Sequence, residues 1–342
     1  LLVTACGQSE PPAPPMSADL IIHCGAMIDG VSKEVLSQRS IVIRDHRITQ
    51  VSRESPARVA DAEILDLSDY TCLPGLIDMH VHVDGVPEDF DDYTIYLRRT
   101  PEEARALAAK LGKIILDSGF TTVRNVGTYQ AWLARDLRDQ IDAGDVIGPR
   151  IQFAGPYLTI PHGGGDMYIP SVDDSEIPDN FRQGVARGAD EFRAAAKANV
   201  DGGADFLKII ASGAVFGYGG VPGAPEMTPE EIQAVVDVAR AAGIKVTAHA
   251  HSAESIKDAI LAGVDSIEHA SLGDDESVSL AVEHDVAFSM DVYNGTYTAE
   301  VGEAHGYAAE FMQKNEDTTE AQRAVFRKAL AAGVTLMFGT DL

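Results

Sequence analysis

The sequence predicts an α/β protein with a (β/α)8 TIM barrel and a small β-sandwich domain on its N-terminal side. Three observations lead to this prediction. From residue 73 onward, short apolar strands alternate with helical segments. Eight such strands can be counted, which is the number that closes a barrel. Before residue 73 the pattern is one of short strands and turns without helices.

The first 17 residues have the composition of a signal-peptide remnant followed by a tether. Small residues precede Cys6, as in the lipobox of a bacterial lipoprotein, and a Pro-rich stretch follows at residues 8–15. We therefore expect the sequence to begin inside the signal peptide and Cys6 to carry a lipid. This anchor would be the only contact with a membrane and would place the protein in the bacterial cell envelope. Because Gln8 is not the aspartate of proteins retained at the inner membrane, we expect the periplasmic face of the outer membrane; a chance cysteine is the alternative.

Residues 18–72 are typical of part of a small β-sandwich. Runs over 19–28, 40–53 and 63–67 are apolar or alternating, with Asp29-Gly30 and Asp45-His46 as turns. We expect a C-terminal segment beyond Leu342 to complete the sandwich and to add the helix that normally follows an eighth barrel strand. Cys24 and Cys72 fall in predicted strands, and both buried thiols and a disulfide stay open.

Residues 73–342 form the predicted barrel, which stops just past its eighth strand. The predicted strands are 76–82, 121–126, 150–154, 206–211, 245–249, 266–269, 287–291 and 335–340. Helical segments are predicted at 101–118, 131–143, 186–202, 229–242, 253–262 and 318–332. Several of these helices end in a glycine before the next strand, as helices commonly do.

Composition and charge narrow the range of partners. The 342 residues are 45% hydrophobic, which is enough for a large core. They include 53 acidic and 27 basic residues, for a net charge of −26. Because such a field repels nucleic acid and anionic membranes, we expect neither as a partner. No apolar run reaches the ~18 residues that would span a bilayer.

The stretch Gly-Leu-Ile-Asp-Met-His-Val-His, residues 75–82, ends the first barrel strand with two histidines. Side chains two residues apart in a strand project to the same side, so His80 and His82 would point together at the end of the strand. Two converging imidazoles suit a metal ion. The alternative is a pair of ordinary polar residues at a strand end.

Further candidates follow other strands. In a barrel the C-terminal ends of the strands meet at one mouth, so we expect these side chains to converge there. His162, after the third strand, and Tyr218, in a glycine-rich segment after the fourth, would contact a substrate; plain connectors are the alternative. The candidate ligands beyond the first strand are Lys208, His249, His269 and Asp341.

Taken together, these residues resemble the amidohydrolase superfamily of metal-dependent hydrolases. The motif at 74–82, the lysine, the two later histidines and the aspartate match in order within residues 18–342. Residues 207–209, Ser212-Gly213 and 264–269 are similar to the branch that holds Xaa-Pro and related dipeptidases, with imidazolonepropionase-like proteins nearby. Residues 161–166, Pro-His-Gly-Gly-Gly-Asp, depart from the usual Gly-Gly-His order of that branch.

The resemblance implies two divalent metal ions, with zinc as the expected metal. A carbamate on Lys208, formed with carbon dioxide, would bridge the ions, because it offers two anionic oxygens where an ammonium offers none. A hydroxide shared by the ions would attack the amide carbonyl, and Asp341 would pass its proton to the leaving nitrogen. The implied ligands are His80, His82 and Asp341 for one ion, and His249 and His269 for the other.

His251 stands two residues after His249 and would face the same cavity if the strand continues. It is surplus to the ligand set that the resemblance implies. We therefore expect it to contact the substrate, either as a donor to the carbonyl oxygen or as a carboxylate binder. A hydrogen bond to a neighbouring loop is the alternative.

The sequence therefore predicts a lipid-anchored hydrolase of carbon–nitrogen bonds. Its small-molecule substrate would be a dipeptide of the Xaa-Pro type or an N-acyl amino acid. One alternative is a cyclic-amide hydrolase like imidazolonepropionase, against which a bridging Lys208 argues because it implies two metals. Another is a non-catalytic lipoprotein that binds metal or ligand, against which Asp341 argues because a binding module needs no base. Substrate side chains and assembly into a homo-oligomer stay open.

Overall fold

The computed structural model describes residues 19–53 and 62–341. The chain divides into two compact units, which separate between Gly75 and Leu76. The lipobox cysteine Cys6 and the Pro-rich tether lie outside the described residues, as does Leu342. The lipid anchor and the C-terminal extension therefore stay predictions.

The N-terminal unit contains a four-stranded sheet in the order β3-β2-β1-β4. β1 pairs antiparallel with β2 and parallel with β4. Asp45 and His46 form the predicted turn between β2 and β3, with φ angles of 48° and 59° that suit a two-residue hairpin loop. The strand predicted at 63–67 continues further, to Cys72. The strands are β1 (Leu20–Met27), β2 (Leu36–Arg44), β3 (Arg47–Ser52) and β4 (Glu63–Cys72).

Cys24 and Cys72 form a disulfide, with their Cα atoms 5.8 Å apart. Of the two alternatives left by the sequence, buried free thiols are therefore wrong. The pairing follows from the sheet, because β1 and β4 are neighbours and Met27 lies beside Cys72 in their register. The sequence could not predict this disulfide, because a parallel pairing between strands so far apart in the chain leaves no local sequence pattern.

The second unit contains all eight predicted strands in two parallel sheets. One sheet has the order β5-β6-β7, and the other has the order β12-β11-β10-β9-β8. β8 is buried along its whole length, as is usual for strands covered on both faces. The strands are β5 (Leu76–Val81), β6 (Phe120–Asn125), β7 (Arg150–Phe153), β8 (Phe206–Ile210), β9 (Lys245–Ser252), β10 (Ser266–Leu272), β11 (Ala287–Ser289) and β12 (Leu336–Met337).

Backbone hydrogen bonds join the two sheets at both edges. After β7, Leu158 donates to the Lys208 carbonyl oxygen at 3.0 Å and accepts from the Ile210 N–H at 3.0 Å. At the other edge, the Asp341 N–H donates to the His80 carbonyl oxygen at 2.8 Å. The ends of β5 and β12 are therefore side by side. The predicted α/β order is confirmed, and closure into a barrel stays a prediction.

Nine α-helices lie among the described residues. All six predicted helices are present, but the last begins at Ala309 instead of residue 318. Three further helices, at Thr94–Arg98, Asp275–Glu283 and Asn294–His305, were not among the predicted segments; the last contains glycine, threonine and tyrosine, which are weak helix formers. Within residues 19–53 and 62–341, none of the helices combines the length and the apolar composition that a membrane span requires. The helices are α1 (Thr94–Arg98), α2 (Pro101–Asp117), α3 (Leu133–Ala143), α4 (Gly188–Asp201), α5 (Pro229–Ala242), α6 (Ala253–Ala262), α7 (Asp275–Glu283), α8 (Asn294–His305) and α9 (Ala309–Ala332).

Candidate active site

Polar side chains that follow separate strands meet in one cavity of the second unit. Parallel strands place their C-terminal ends at the same edge of a sheet, which explains why residues so far apart in the chain converge. The cavity has a volume of about 160 Å³. Its lining includes every predicted ligand and His251, namely His80, His82, Lys208, His249, His251, His269 and Asp341.

Asp341 lies between the two histidines of the opening motif. Its Oδ1 atom is 3.0 Å from Nε2 of His80 and 3.3 Å from Nε2 of His82. Burial raises the pKa of the Asp341 carboxyl, but the nearby imidazoles of His80 and His82 lower it by more. The pKa of Asp341 is therefore well below its ordinary value. Asp341 is therefore an anionic carboxylate at neutral pH. The three residues each offer a ligand atom within 4.8 Å of the other two.

A second group shares Asp341 and adds His269 and Asp291, again with ligand atoms within 4.8 Å of one another. Nδ1 of His269 donates to Oδ1 of Asp291 at 3.0 Å. Asp291 was not among the predicted ligands, although it ends the predicted strand 287–291. The rule that selected the other strand ends could therefore have found it.

The surroundings of His249 show whether these residues suit a metal ion. Its ring centroid is 4.6 Å from that of His269, and its Nε2 atom is buried without a hydrogen-bond partner among the described residues. A buried polar atom without a partner is costly, and few occur in a folded protein. A metal ion on Nε2 would remove that cost. Burial also holds the pKa of His249 well below its ordinary value, so the imidazole is neutral, as a ligand must be.

In three of the histidines, the Nδ1 atom already has a hydrogen-bond partner. Nδ1 of His80 donates to Oε2 of Glu268 at 2.7 Å, and Nδ1 of His82 lies 2.8 Å from the Gly127 carbonyl oxygen. His269 is held by Asp291 in the same way. These contacts place a proton on Nδ1 and turn Nε2 towards the cavity, where Nε2 of His80 and of His82 now faces Asp341 and where a metal ion could bind it. Metal-binding histidines are commonly oriented by such partners.

Glu268 is fully buried in β10 and takes its partners from other strands. It accepts hydrogen bonds from Arg124, Thr247 and His80. Burial raises the pKa of Glu268, but Arg124, His80 and Lys208 together lower it by more, so the pKa of the carboxyl is well below its ordinary value. Arg124 also donates to Ser266 at 3.1 Å. The sequence carried no indication of this network, since an isolated Arg or Glu in a strand has no characteristic spacing.

Lys208 projects into the cavity from β8 and is only 2% exposed. It forms no ion pair with the residues that the structure describes. Burial lowers its pKa to about 8, although the negative charges of Glu268 and Asp341 act in the opposite direction. An appreciable fraction of the side chain is therefore the neutral amine near neutral pH.

His251 is buried beside the candidate ligands. Its Nδ1 atom is 2.9 Å from the Ser271 hydroxyl, and its ring stacks on that of His269 with centroids 5.0 Å apart. Burial lowers the pKa of His251 to about 3, so the ring is neutral. The structure brings His251 to the predicted place, and its contact with a substrate stays a prediction.

His162 and Tyr218 are not part of the cavity lining. The exposed imidazole of His162 pairs with Asp174, with 2.9 Å between Nε2 and Oδ2. Tyr218 packs against Phe311, with ring centroids 4.9 Å apart. Their roles as substrate contacts stay predictions. Aromatic side chains that sequence analysis did not single out supply much of the wall instead: Phe90, Tyr93, Tyr96, Tyr129, Tyr157, Phe216, Tyr297 and Tyr307.

Residues 71–342 match the sequence profile of the amidohydrolase family. Ochratoxinase of Aspergillus niger is 30% identical over 336 residues, which cover 94% of this chain and 68% of that protein. A solved Xaa-Pro dipeptidase with methionine bound in its active site has a TM-score of 0.84 at 35% identity, covering 94% of this chain and 79% of that one. A prolidase in complex with N-methylphosphonate-L-proline has a TM-score of 0.84 at 28% identity, covering 94% and 78%.

Proposed function

The chain belongs to the amidohydrolase family of enzymes, and from this premise we propose that it hydrolyses the amide bond of an Xaa-Pro-type dipeptide or an N-acyl amino acid. The likeness to an Xaa-Pro dipeptidase and a prolidase supports the dipeptide. The observation that carries the proposal is the convergence of Asp341 with the Nε2 atoms of His80 and His82. We further propose that the two parallel sheets close into one (β/α)8 barrel around this site.

Two divalent ions, with zinc the expected metal, would be held by the converging side chains. The unpartnered Nε2 of His249 and the oriented rings of His80, His82 and His269 fit such ligands. When bound, the ions would polarise the amide carbonyl and lower the pKa of a water molecule towards neutrality. The proposed ligands are His80, His82, Lys208, His249, His269 and Asp341.

Asp341 would act as the proton carrier. Its low pKa keeps the carboxylate ready to accept a proton from the water that attacks the carbonyl carbon. As the carbon–nitrogen bond breaks, the same carboxyl would give this proton to the departing amine. Nδ2 of Asn294 donates to the other oxygen of Asp341 at 3.1 Å and holds the carboxylate in place.

A carbamate on Lys208 is the second part of the mechanism that we propose. The neutral amine would attack carbon dioxide, form a nitrogen–carbon bond and lose a proton, which converts a buried cation into an anion. The absence of an ion pair for this buried lysine among the described residues supports the proposal, because an unpaired buried charge is costly. Lys208 would then offer anionic oxygens, which can hold divalent ions where an ammonium cannot.

The test is a comparison of metal content and hydrolysis in purified, zinc-loaded protein. Wild-type enzyme should hold about two ions per chain, as a binuclear site requires, and should cleave members of a panel of Xaa-Pro dipeptides and N-acyl amino acids. Lys208→Ala should lose most activity and the paired ions, and short carboxylic acids should partly restore both. Lys197→Ala, at an exposed lysine on α4, is the matched control. One ion or none in active protein, or full activity in Lys208→Ala, would refute the two-metal mechanism.

We also propose that Cys6 is lipidated and places the enzyme in the cell envelope. The disulfide between Cys24 and Cys72 supports an oxidising compartment, where such bonds persist. Fractionation of cells that express Cys6→Ser tests the anchor. The variant should leave the membrane fraction, and retention there would exclude the lipid as the anchor.

A further inference from the structure

One end of the cavity is built from three aromatic rings that belong to separate segments. Phe90 lies in a short 3-10 helix at Pro87–Asp91, Phe216 lies in the glycine-rich segment after β8, and Tyr307 lies between α8 and α9. The rings of Phe90 and Phe216 stack with centroids 4.8 Å apart and an interplanar angle of 19°. Tyr307 meets both edge-on, at 5.7 Å from Phe90 and 5.9 Å from Phe216. These three residues are called the aromatic pocket below.

A row of tyrosines connects the aromatic pocket to the candidate metal ligands. The ring of Tyr157 is 5.9 Å from that of His82, and Tyr129 follows at 5.5 Å from Tyr157. Tyr93 is 6.2 Å from Tyr129 and 6.0 Å from Phe90. All of these rings line the same cavity. A substrate whose amide lies beside His82 can therefore extend along the row into the aromatic pocket.

The charge in the cavity lining comes from residues outside the aromatic pocket. The aromatic pocket itself contributes two phenyl rings and a tyrosine whose hydroxyl stays neutral, because burial raises its pKa well above the ordinary value. A charged substituent there would lose water without gaining a counter-ion. The charged residues in the lining are Asp84, Lys208, Asp291 and Asp341.

The backbone around Phe216 is fixed by contacts with α9 and with Tyr93. Lys314 donates from Nζ to the Gly217 carbonyl oxygen at 2.6 Å and to Glu310 at 2.8 Å. Glu310 in turn accepts from the Gly219 N–H at 3.0 Å. The Tyr93 hydroxyl donates to the Phe216 carbonyl oxygen at 3.4 Å. The ring of Phe216 is therefore positioned before a ligand arrives, which reduces the entropy that binding would cost.

We propose that the aromatic pocket binds a large uncharged group of the substrate, either aromatic or branched aliphatic, and thereby determines specificity. This inference rests on the proposed function, because it assigns the other end of the cavity to the amide. It narrows the substrate class to dipeptides or N-acyl amino acids that carry such a group on one side of the scissile bond. Substrates with small or charged substituents on both sides would be poor.

Binding of product-like ligands tests the proposal without requiring turnover. Two matched pairs are titrated into zinc-loaded protein by calorimetry: 3-phenylpropanoate against propanoate, and L-phenylalanine against L-alanine. In at least one pair the phenyl ligand should bind ~10- to 100-fold more tightly, as expected for burying a phenyl ring among aromatic side chains. Phe216→Ala should lose most of this preference, and Phe216→Leu should keep part of it. Val221→Ala removes an exposed side chain of a neighbouring residue and should leave the preference unchanged.

Equal affinities within both pairs in wild-type protein would overturn the proposal, as would an undiminished preference in a folded Phe216→Ala variant. These outcomes are distinct from failure of the proposed function. A protein that prefers phenyl ligands but cleaves no dipeptide or N-acyl amino acid would refute the reaction and retain the pocket. A protein that cleaves these substrates without any preference for large uncharged groups would retain the reaction and refute the role of the aromatic pocket.

Discussion

Replacing Glu268 by glutamine should strongly destabilise the second unit, although glutamine has almost the same volume. The Glu268 side chain is fully buried and bonds to Arg124, whose side chain is only 10% exposed. Without the carboxylate, the Arg124 guanidinium is a buried charge without its counter-ion. Removing one member of a buried ion pair typically costs about 3–5 kcal/mol. That is a large part of the ~5–15 kcal/mol that stabilises a typical protein.

The same substitution should loosen His80. Nδ1 of His80 donates to Oε2 of Glu268 at 2.7 Å, while Oε1 accepts from Arg124 and Thr247. A glutamine amide has one oxygen and one NH2 group, so it cannot accept from both His80 and Arg124 in this geometry. The imidazole then loses the contact that fixes its tautomer and orientation. Losing such a partner typically lowers metal affinity about 10- to 100-fold.

Equilibrium urea unfolding, followed by the fluorescence of Trp132, measures the first effect, and competitive zinc titration measures the second. Arg124→Met and the double variant complete a double-mutant cycle with Glu268→Gln. The double variant should be more stable than the sum of the single losses predicts, because it removes both charges together. Lys197→Met, which breaks an exposed ion pair with Asp201, should change little. A Glu268→Gln variant within ~1 kcal/mol of the wild type, with unchanged zinc affinity, would refute the reasoning.

Three further outcomes are expected. Burial raises the pKa of Glu226 from 4.5 to about 7 in the folded protein, so the wild type should lose stability as pH rises through this range and level off above it. Glu226→Gln can still accept a hydrogen bond from the Gly164 N–H but cannot ionise, so it should not lose stability in this way. Above pH 7 its free energy of unfolding should exceed that of the wild type by up to ~3 kcal/mol. Parallel curves of stability against pH from 4 to 8 would contradict this. His251→Ala should keep its ions by elemental analysis and lose ~100- to 1,000-fold in kcat/KM, whereas loss of an ion would make His251 a ligand and normal kinetics would make it a packing residue. Cys24→Ser should cost about 2–4 kcal/mol in unfolding free energy, and reductant should destabilise the wild type but not the variant; a wild type indifferent to reductant would argue against the disulfide.

The candidate ligands could be predicted from the sequence because one rule places them. Parallel strands separated by helices bring their C-terminal ends together, and a polar residue at such an end interrupts an apolar run. His80, His82, His249 and His269 were recognisable for that reason. Glu268 and Arg124 were not, because they lie 144 residues apart and acquire their meaning only from each other. Either side chain alone in a strand is compatible with an exposed position.

The remaining differences between the sequence predictions and the structure lie in loops. In the glycine-rich segment after β8 the sequence favoured Tyr218 as a substrate contact, whereas Phe216 faces the cavity. A strand alternates its side chains between two faces, but a loop has no such period, so the choice between neighbouring aromatic residues depends on tertiary contacts. His162 is a similar case. Its backbone adopts φ = 58°, and the ring points to Asp174 rather than into the cavity.

The orientation of the histidines explains why the candidate site depends on the whole second unit. His80 in β5 is held by Glu268 in β10, and His269 in β10 is held by Asp291 beyond β11. The Nε2 atom of His80 is therefore directed into the cavity only if β5 and β10, which belong to different sheets, are in register, and that of His269 only if β10 and β11 are. Nε2 of His249 is buried and has no hydrogen-bond partner among residues 19–53 and 62–341. A ligand that binds only the folded state adds its binding free energy to stability. An ion bound at His249 would thus stabilise the arrangement of strands that creates its own site.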